Sequence, residues 1–370
     1  MDPRSSNQST ATLPKKDRRR AIRVMVVDDS LTVRTILSRM IEGAGGMEVV
    51  GSCGSAESAL MRLDREPADV VLLDLEMPGM GGMQALPKIL QKAPETQILV
   101  VSSLTEEGAE HTLAALSMGA ADTMLKPRPG GFDNDYRAQL LDKIKALGGA
   151  EESSRDGIAE GAAAPHFASR ANARAKSPQV LAIGASTGGI HSLNILLRGL
   201  DPKFSLPILV TQHLPASFIP VFARQMELAS ARQTVIAARG MEILRSQVVI
   251  APGDGHLLVR RQGNRLVADI SSAPAQSGCL PSVDPMLSSL ADNLEGHALA
   301  VILSGMGRDG LDGAADLVEA GGAVLAQDAE SSAVWGMPGA VAKAGLTHCV
   351  APPERLPAEI LALAGNAAWN

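Results

Sequence analysis

Three carboxylates stand at the ends of two short β-branched runs near the start of the chain. Residues 22–28 read Ile-Arg-Val-Met-Val-Val-Asp and residues 70–74 read Val-Val-Leu-Leu-Asp, which places Asp28, Asp29 and Asp74 at the ends of predicted buried strands. The carboxyl ends of neighbouring parallel strands meet in one crevice, so we expect these side chains to lie within a few ångströms of one another. An all-oxygen cluster of this kind suits Mg²⁺, and a bound metal would neutralise the site enough for Asp74 to attack a phosphoryl donor.

Two further polar side chains end predicted strands of the same region. Ser102 follows the run 97–101, and Lys126 follows the run 122–125 and precedes Pro127. A hydroxyl and an ammonium at these positions could both hold a phosphoryl group. Each acidic residue taken alone could instead be an ordinary strand-end cap or turn residue.

A serine flanked by small residues follows a later predicted strand. The run 180–183 leads into residues 184–189, which read Gly-Ala-Ser-Thr-Gly-Gly and precede an apolar stretch with helical spacing. Small residues on both sides of Ser186 permit a tight strand-to-helix turn that exposes its hydroxyl near a helix N-terminus. Such a loop could present a nucleophile, bind a phosphate or form a plain turn, and the loop alone does not decide among them.

A histidine and an aspartate follow other strands of the same predicted sheet. His213 follows the run 208–212, and Asp309 lies in the glycine-rich loop 304–310 after another strand. Strand-end positions place Ser186, His213 and Asp309 along one edge of a parallel sheet. There Ser186 could attack a substrate, His213 could take and return its proton, and Asp309 could orient the imidazole. The order along the chain differs from that of α/β-hydrolases, in which the acid precedes the histidine.

Residue chemistry alone leaves other combinations open. One more histidine follows a strand and has an acidic neighbour, and another lies close to Ser186 in the sequence. Two further aspartates are alternative acids for the same role. These rival residues are His256, His191, Asp284 and Asp312.

Two α/β domains are needed to position these side chains. Strand-like runs alternate with segments of helical apolar spacing, which predicts a doubly wound, mostly parallel sheet in each half of the chain. The predicted domains are 22–140, flavodoxin-like, and 179–366, Rossmann-like with three layers, after a disordered tail at 1–21. Because the periodicity is lost from residue 148 onward, 141–178 is predicted to be a flexible linker. A chain of 370 residues has the length expected of two domains.

Composition argues against several classes of function. The net charge of -6, from 34 basic and 40 acidic residues, leaves no excess of Lys and Arg for neutralising the phosphates of a nucleic acid. No run of about 18 uncharged apolar residues occurs, so no membrane-inserted segment is predicted. The cysteines, Cys53, Cys279 and Cys349, are scattered and odd in number, which indicates a reducing compartment. We therefore expect a cytoplasmic protein.

The polar strand ends of the first domain resemble those of response-regulator receiver domains. Asp-Asp after one strand, Asp after the next, Ser after the third and Lys-Pro after the fourth occur together in residues 22 to about 140. The resemblance implies a histidine kinase as phosphodonor. It also implies that Asp74 is the phosphoacceptor and that Asp28 and Asp29 bind Mg²⁺ with it. By the same resemblance, Ser102 and Lys126 are switch residues. Gly81 stands where the family usually has Asp, which weakens a helix N-cap by only a few tenths of a kcal/mol.

The second domain resembles the chemotaxis methylesterase CheB family, whose members carry a receiver domain at the N-terminus. The similarity covers nearly the whole chain apart from the tail and linker, and its motifs are residues 184–189, 212–215, 281–284, 304–310 and 336–338. By position in these motifs, the resemblance implies a catalytic triad of Ser186, His213 and Asp309. It also implies that Thr187 and Met306 lie beside the triad. Pro285 and Trp335 depart from the family pattern, and we expect them to alter packing beside the site without removing a reacting group.

The resemblance implies an enzyme that removes methyl esters from glutamate side chains of methyl-accepting chemoreceptors and deamidates glutamines there, with no cofactor in its hydrolase domain. It further implies that the unphosphorylated receiver covers the hydrolase cleft and that phosphorylation of Asp74 loosens it. Two other classes remain to be weighed. A response regulator with a DNA-binding output would need a basic recognition helix, which the acidic chain does not display. A non-catalytic scaffold that binds receptors could keep all the same residues.

Overall fold

The computed structural model describes residues 20–103, 105–127, 131–149 and 175–365. Within these residues the chain forms two α/β domains, each built on a parallel sheet, as the sequence predicts. Most of the predicted tail at 1–21 and of the predicted linker at 141–178 lies outside the described residues. None of the described helices combines the length and the apolar character that a membrane crossing needs.

The first domain is built on a parallel sheet of five strands. In chain order they are β1 (Ile22–Val27), β2 (Met47–Cys53), β3 (Val70–Leu73), β4 (Gln97–Ser102) and β5 (Asp122–Leu125). Their order across the sheet is β2-β1-β3-β4-β5. β3 lies in the middle and is aliphatic and buried at every position, because helices cover both faces of the sheet.

Helices alternate with these strands: α1 (Leu31–Glu42), α2 (Ala56–Leu63), α3 (Gly81–Lys92), α4 (Glu106–Ser117) and α5 (Asn134–Gly148). All but α3 begin after a Ser, Thr or Asp whose side-chain oxygen accepts a backbone N–H of the first turn. The residue before α3 is Met80, whose side chain makes no such bond, and Gly81 has a φ of +65°. Gly81 therefore supplies a left-handed turn at the start of α3, which glycine adopts without steric penalty.

The first domain extends further than the sequence pattern predicts. The predicted boundary lies at residue 140, but α5 continues to Gly148. Leu141, Ile144 and Leu147 are buried in the core beneath the sheet, so their apolar spacing prolongs the helix into the predicted linker. The change of composition at residue 148 marks the end of the helix better than the predicted boundary does.

The second domain contains a larger parallel sheet and a separate hairpin. Its strands are β6 (Val180–Ala185), β7 (Ile208–Gln212), β8 (Thr234–Ile236), β9 (Val248–Ile250), β10 (His256–Gln262), β11 (Arg265–Ser271), β12 (Ala298–Ile302), β13 (Ala323–Gln327) and β14 (Cys349–Ala351). Seven of them form the sheet in the order β14-β13-β12-β6-β7-β9-β8, and neighbours are parallel throughout. β10 and β11 pair antiparallel as a hairpin outside that sheet. The sequence pattern does not predict this hairpin.

Helices cover both faces of this sheet: α6 (Gly189–Gly199), α7 (Ile219–Ser230), α8 (Val283–Leu294), α9 (Leu311–Glu319), α10 (Met337–Lys343) and α11 (Leu356–Ala364). Successive residues of β6 enter opposite cores. Leu181 and Ile183 pack with α6, α7 and α11, whereas Val180 and Ala182 pack with α8, α9, α10 and the hairpin. This alternation gives the three layers that the sequence predicts.

Both sheets reverse their winding beside the first strand of the domain. β1 lies between β2 and β3, and β6 lies between β12 and β7. In a doubly wound sheet the crevice beyond the carboxyl ends of such strands is the usual place for a ligand. Asp28 and Asp74 follow the central pair in the first sheet, and Ser186 follows β6 in the second.

Candidate active site

Ser186 lies in the turn between β6 and α6. Its backbone N–H donates to the Ser304 carbonyl at 3.0 Å, and its own carbonyl accepts from the Gln212 side-chain amide at 3.0 Å. The left-handed residue of the turn is Gly188, with a φ of +76°, and a Cβ there would stand 2.6 Å from that of Ala333. Glycine at 188 thus allows the chain to turn sharply and leaves the Ser186 side chain partly exposed at the helix N-terminus.

Ser186, His213 and Asp309 converge in series, although they come from three separate loops. The Ser186 hydroxyl lies 3.1 Å from Nδ1 of His213, and Nε2 of His213 lies 2.7 Å from a carboxylate oxygen of Asp309. Both distances are hydrogen-bonding distances. The three side chains therefore have the arrangement of nucleophile, base and orienting acid that activates a serine in hydrolases.

Asp309 is buried, with 2% of its surface exposed, and it is held by several donors. The Ser282 hydroxyl donates to it at 2.6 Å, and the backbone N–H groups of Val283, Asp284 and Gly310 donate at 2.8, 3.3 and 3.1 Å. Two of these N–H groups belong to the first turn of α8, where the positive end of the helix dipole favours an anion. The α8 terminus thus fixes the carboxylate beside His213 and keeps it ionised.

These contacts shift the pKa values of Asp309 and His213 in opposite directions. Burial would raise the pKa of Asp309, but the hydrogen bond from His213 and those from Ser282 and Val283 outweigh burial and hold it far below its usual range. Burial would lower the pKa of His213, but its bonds to Asp309 and to Cys279 outweigh burial and raise that pKa to about 9. The Asp309 carboxylate thus stabilises the imidazolium, the form that the His213 ring takes when it accepts a proton.

The rival residues occupy other positions. Both ring nitrogens of His256 are engaged in the fold, one accepting from the Ser282 N–H at 2.9 Å and the other 2.8 Å from the Ala273 carbonyl. His191 meets the Ser117 carbonyl of the first domain at 3.0 Å. Asp284 borders Asp309, to which its backbone N–H donates at 3.3 Å, and its carboxylate accepts from the Gly313 N–H at 2.8 Å. Asp312 forms an exposed ion pair with Arg308 at 3.5 Å.

Thr187 and Met306, the two residues predicted to border the site, lie on either side of Ser186. Thr187 follows it directly and is buried. Met306 follows Gly305, and a Cβ at Gly305 would stand only 2.9 Å from that of Ser186, so the two loops are in contact. The Met306 side chain is 43% exposed, which leaves it at the rim of the crevice.

The two departures from the family pattern are accommodated without displacing any of the three converging side chains. Pro285 lies in the first turn of α8, where a backbone N–H would have no helical partner and proline is tolerated. The Trp335 indole N–H donates to the Gln327 carbonyl at 3.0 Å, and its ring packs against Gly339. The expectation that both affect packing alone agrees with these positions.

The first domain gathers its predicted side chains at the carboxyl end of its sheet. Carboxylate oxygens of Asp28, Asp29 and Asp74 lie within 4.8 Å of one another, and Nζ of Lys126 lies 2.8 Å from both Asp28 and Asp74. Burial raises the pKa of Asp74. Burial would lower the pKa of Lys126, but its hydrogen bonds to the two carboxylates outweigh burial and raise it. A donor set made only of oxygens suits a hard divalent cation, which fits the need to hold this crowded negative charge.

Ser102 lies one strand away from that cluster, at the end of β4. Its hydroxyl is buried and has no hydrogen-bond partner among the described residues. Its carbonyl accepts from the Lys126 N–H at 2.7 Å, which ties the ends of β4 and β5 together. A buried hydroxyl without a partner is unfavourable, so this one is ready to bond an acceptor that arrives beside it.

The first domain lies directly over Ser186. The carbonyl of Ala121, just before β5, accepts from the Gly188 N–H at 2.6 Å, and Asp122 accepts from the Thr187 hydroxyl at 2.6 Å. A cavity of about 10 Å³ remains between the domains, lined by residues that include Ala121, Ser186 and His213. This is the space of about one water molecule, so no ester-bearing side chain fits there.

Further contacts join α4 to two helices of the second domain. The Ser117 hydroxyl accepts from Asn194 at 3.1 Å and donates to Gln225 at 3.2 Å. Glu110 and Arg224 form an exposed ion pair at 2.9 Å. Exposed pairs contribute little, so the bonds next to Ser186 are the more important part of this interface.

Comparison with known proteins agrees with both domains. The CheB methylesterase family matches residues 181–360, and the response regulator receiver domain family matches residues 24–131. A protein-glutamate methylesterase/protein-glutamine glutaminase of Rhodospirillum rubrum is 40% identical over 92% of this chain and 94% of its own, and one of Paramagnetospirillum magneticum is 40% identical over 94% and 97%. The crystal structure of the Thermotoga maritima CheB methylesterase catalytic domain has 34% identity and a TM-score of 0.49, covering 51% of this chain and 100% of its own. On the identity and coverage of the full-length relatives, this chain belongs to the CheB methylesterase family and joins a response-regulator receiver domain to a methylesterase domain.

Proposed function

We propose that this protein hydrolyses the γ-methyl esters of glutamate side chains on methyl-accepting chemoreceptors, deamidates glutamines at such positions, and does so under the control of receiver phosphorylation. The observation that carries the proposal is the series Ser186, His213 and Asp309, with hydrogen-bonding distances of 3.1 and 2.7 Å. The names of full-length relatives, protein-glutamate methylesterase/protein-glutamine glutaminase, supply the substrate class.

The proposed reaction has two steps at one serine. Ser186 Oγ attacks the ester carbonyl while His213 Nδ1 takes its proton, and His213 then returns that proton to the departing methanol. Water attacks the resulting acyl-enzyme by the same route and releases the glutamate carboxylate. Asp309 holds the imidazole in place and stabilises its positive charge. Deamidation follows the same path, with ammonia as the leaving group.

Gly188 supports an oxyanion role for the loop after Ser186. Its N–H points out of the second domain, since its partner at 2.6 Å is a carbonyl oxygen of the first. A carbonyl oxygen of the substrate would use the same donor once the receiver has moved away. A well-placed donor of this kind contributes about 3 to 4 kcal/mol to the tetrahedral intermediate.

Phosphorylation is proposed to occur at Asp74. Asp28 and Asp29 would bind Mg²⁺ together with it, a histidine kinase would supply the phosphoryl group, and Lys126 would pair with its oxygens. When bound, Mg²⁺ would neutralise the phosphoryl oxygens during transfer. The unpartnered Ser102 hydroxyl would then turn toward the new group.

The path from Asp74 to the methylesterase site is short. Ser102 ends β4, and α4 follows it and contacts the second domain through Ser117. β5 pairs with β4 and begins at Asp122, which bonds Thr187. A movement of Ser102 toward the phosphoryl group therefore displaces the two elements that cover Ser186.

The interface predicts that Asp122→Ala raises the basal rate of methyl release about fivefold. The variant removes the acceptor of the Thr187 hydroxyl, and a hydrogen bond of about 1 kcal/mol shifts the closed-to-open balance by that factor. Lys143→Met is the control, because Lys143 pairs with the same carboxylate at 2.6 Å within the receiver and does not reach the second domain. An equal rise in both variants would contradict a specific role for the Thr187 bond.

The proposed function is tested by methyl release from receptor-bearing membranes with labelled methyl groups, with and without a small-molecule phosphodonor. We expect the parent to release methanol faster when the phosphodonor is present, and Asp74→Asn to remain at the basal rate. Asp64→Asn is the matched control, since this exposed aspartate pairs with Lys92 on the receiver surface and should leave activation intact. Absence of methanol release from the parent would reject the esterase, and full activation of Asp74→Asn would reject the control by Asp74.

A further inference from the structure

Cys279 stands beside the catalytic pair, yet the proposed reaction does not use it. It lies in the loop between β11 and α8, and its sulfur is within 4.8 Å of the nearest ring nitrogen of His213 and carboxylate oxygen of Asp309. The thiol is partly exposed and forms no disulfide. A nitrogen, a sulfur and an oxygen therefore converge at one point of the crevice.

This set of donor atoms differs in kind from the one in the receiver. The aspartates of the receiver offer oxygens alone, which suits Mg²⁺, whereas imidazole, thiolate and carboxylate together are the ligands of Zn²⁺. In tetrahedral zinc sites the ligand atoms lie about 3 to 4 Å apart. The separations here are up to 4.8 Å, and the one between His213 Nε2 and Asp309 is 2.7 Å, so binding would need the widest to shorten and this one to lengthen slightly. Three protein ligands and one open position is the composition of many zinc sites that keep a water molecule.

The surrounding hydrogen bonds already orient these ligands. The Ser282 hydroxyl donates to the Asp309 oxygen that does not face His213, at 2.6 Å. The same hydroxyl accepts from Ser277 at 3.1 Å, and the Ser277 hydroxyl accepts from the Cys279 N–H at 3.3 Å. One chain of bonds thus positions both the carboxylate and the loop that carries the thiol. Metal ligands in proteins are fixed by supporting contacts of this kind.

From this geometry we infer that His213, Cys279 and Asp309 form a binding site for a single Zn²⁺ ion, and that the bound ion inhibits the methylesterase. The metal takes Nε2 of His213, the thiolate of Cys279 and a carboxylate oxygen of Asp309. The thiol proton of Cys279 leaves to solvent. Binding would need no large movement of the backbone, since the three donor atoms already lie within 4.8 Å of one another.

The bound ion would inhibit methyl-ester hydrolysis because it determines which ring nitrogen of His213 carries the proton. With Zn²⁺ on Nε2, the single proton of the neutral ring resides on Nδ1, the nitrogen that faces Ser186 at 3.1 Å. Nδ1 then donates to the serine and cannot accept its proton, so the nucleophile loses its base. This inhibitory effect rests on the proposed role of Ser186 and His213, whereas metal binding itself does not.

Metal binding is measured on the full-length protein with Co²⁺ as a spectroscopic substitute for Zn²⁺, in buffer with excess Mg²⁺ to fill the receiver site. We expect a thiolate-to-cobalt absorption band in the near ultraviolet that Zn²⁺ abolishes by displacement. Cys279→Ser should lose this band, and Cys349→Ser, which changes another partly exposed thiol, should keep it. Absence of the band from the parent, or its survival in Cys279→Ser, would overturn the site.

The inhibitory effect is measured by methyl release at increasing Zn²⁺. With each protein compared with its own metal-free rate, Cys279→Ser should require about 100-fold more Zn²⁺ than the parent for half-inhibition. A chelator should restore the parent. If the cobalt band behaves as expected but bound Zn²⁺ leaves methyl release unchanged, the inhibitory role is overturned. If the metal-free parent releases no methanol, the proposed esterase fails, and the cobalt band still decides the metal site.

Discussion

Ser186→Ala is expected to lower methyl release by about 10⁶-fold, because the variant keeps the crevice but has no atom that can form the acyl-enzyme. The His213 base lies 3.1 Å from the hydroxyl that is removed, so it would have no proton to take. The variant should still accept a phosphoryl group at Asp74, since that cluster belongs to the other domain. Initial rates of methanol release and labelling by a phosphodonor measure the two outcomes separately.

Ser192→Ala is the matched control for this variant. Ser192 lies one turn further along α6, is buried, and bonds only weakly to the Gly188 carbonyl at 3.4 Å. Its loss should leave methyl release within about twofold of the parent. Substantial methyl release by Ser186→Ala, with Ser192→Ala unchanged, would remove Ser186 from the nucleophile role.

Asp309→Asn is expected to lower kcat by about 10⁴-fold while leaving the fold in place. The Ser282 hydroxyl and the N–H groups of Asp284 and Gly310 all donate to the carboxylate oxygen that does not face His213, so the amide nitrogen of Asn is disfavoured at that position. It must face His213 and donate to Nε2, which forces the imidazole proton onto Nδ1. His213 is then protonated on Nδ1, the nitrogen that would have to accept the Ser186 proton.

The measurement pairs kcat with thermal unfolding. Asp312→Asn is the control, because this aspartate lies in the next turn, is exposed, and pairs with Arg308 at 3.5 Å. It should change neither kcat nor Tm appreciably. A loss of less than tenfold in a folded Asp309→Asn protein would mean that the carboxylate does not orient the imidazole.

Much of the site could be predicted because a parallel sheet brings strand ends together. Ser186, His213 and Asp309 follow three strands that lie side by side, β6, β7 and β12, so sequence positions far apart become neighbours. The same rule placed Asp28 and Asp74 together after β1 and β3. Strand ends can be recognised in the sequence, since a buried aliphatic run stops abruptly at a polar residue.

The resemblance to the CheB methylesterase family selected His213 among the rival histidines, and only the tertiary contacts give a physical reason for that choice. His213 and His256 both follow a strand, and residue chemistry alone did not separate them. The separation lies in their partners, because His256 is bonded to the Ser282 N–H and the Ala273 carbonyl, whereas His213 faces Ser186. No local pattern predicts which carbonyl or hydroxyl a buried ring will meet.

The elements that were missed have weak sequence signals. β2 contains Gly51 and Ser52 and alternates irregularly, as an edge strand can, and its pairing with β1 shifts register beside Met25. The hairpin of β10 and β11 is rich in arginine and lies outside the main sheet, so it lacks the continuous apolar run that identifies a buried strand. The role of Ser282 in holding Asp309 was also missed, although it belongs to the motif at 281–284.

The bond between the Ala121 carbonyl and the Gly188 N–H joins two main-chain atoms. Every residue type carries a main-chain carbonyl, so substitution at 121 cannot delete the acceptor. The donor position is restricted, because a φ of +76° and the nearby Ala333 side chain favour glycine at 188. On the receiver side, this contact over Ser186 thus depends on the length and path of the loop at 121 and not on the side chain there. Relatives can therefore differ in the side chain at 121 and keep the same bond, provided that glycine stays at 188 and the two loops keep their lengths.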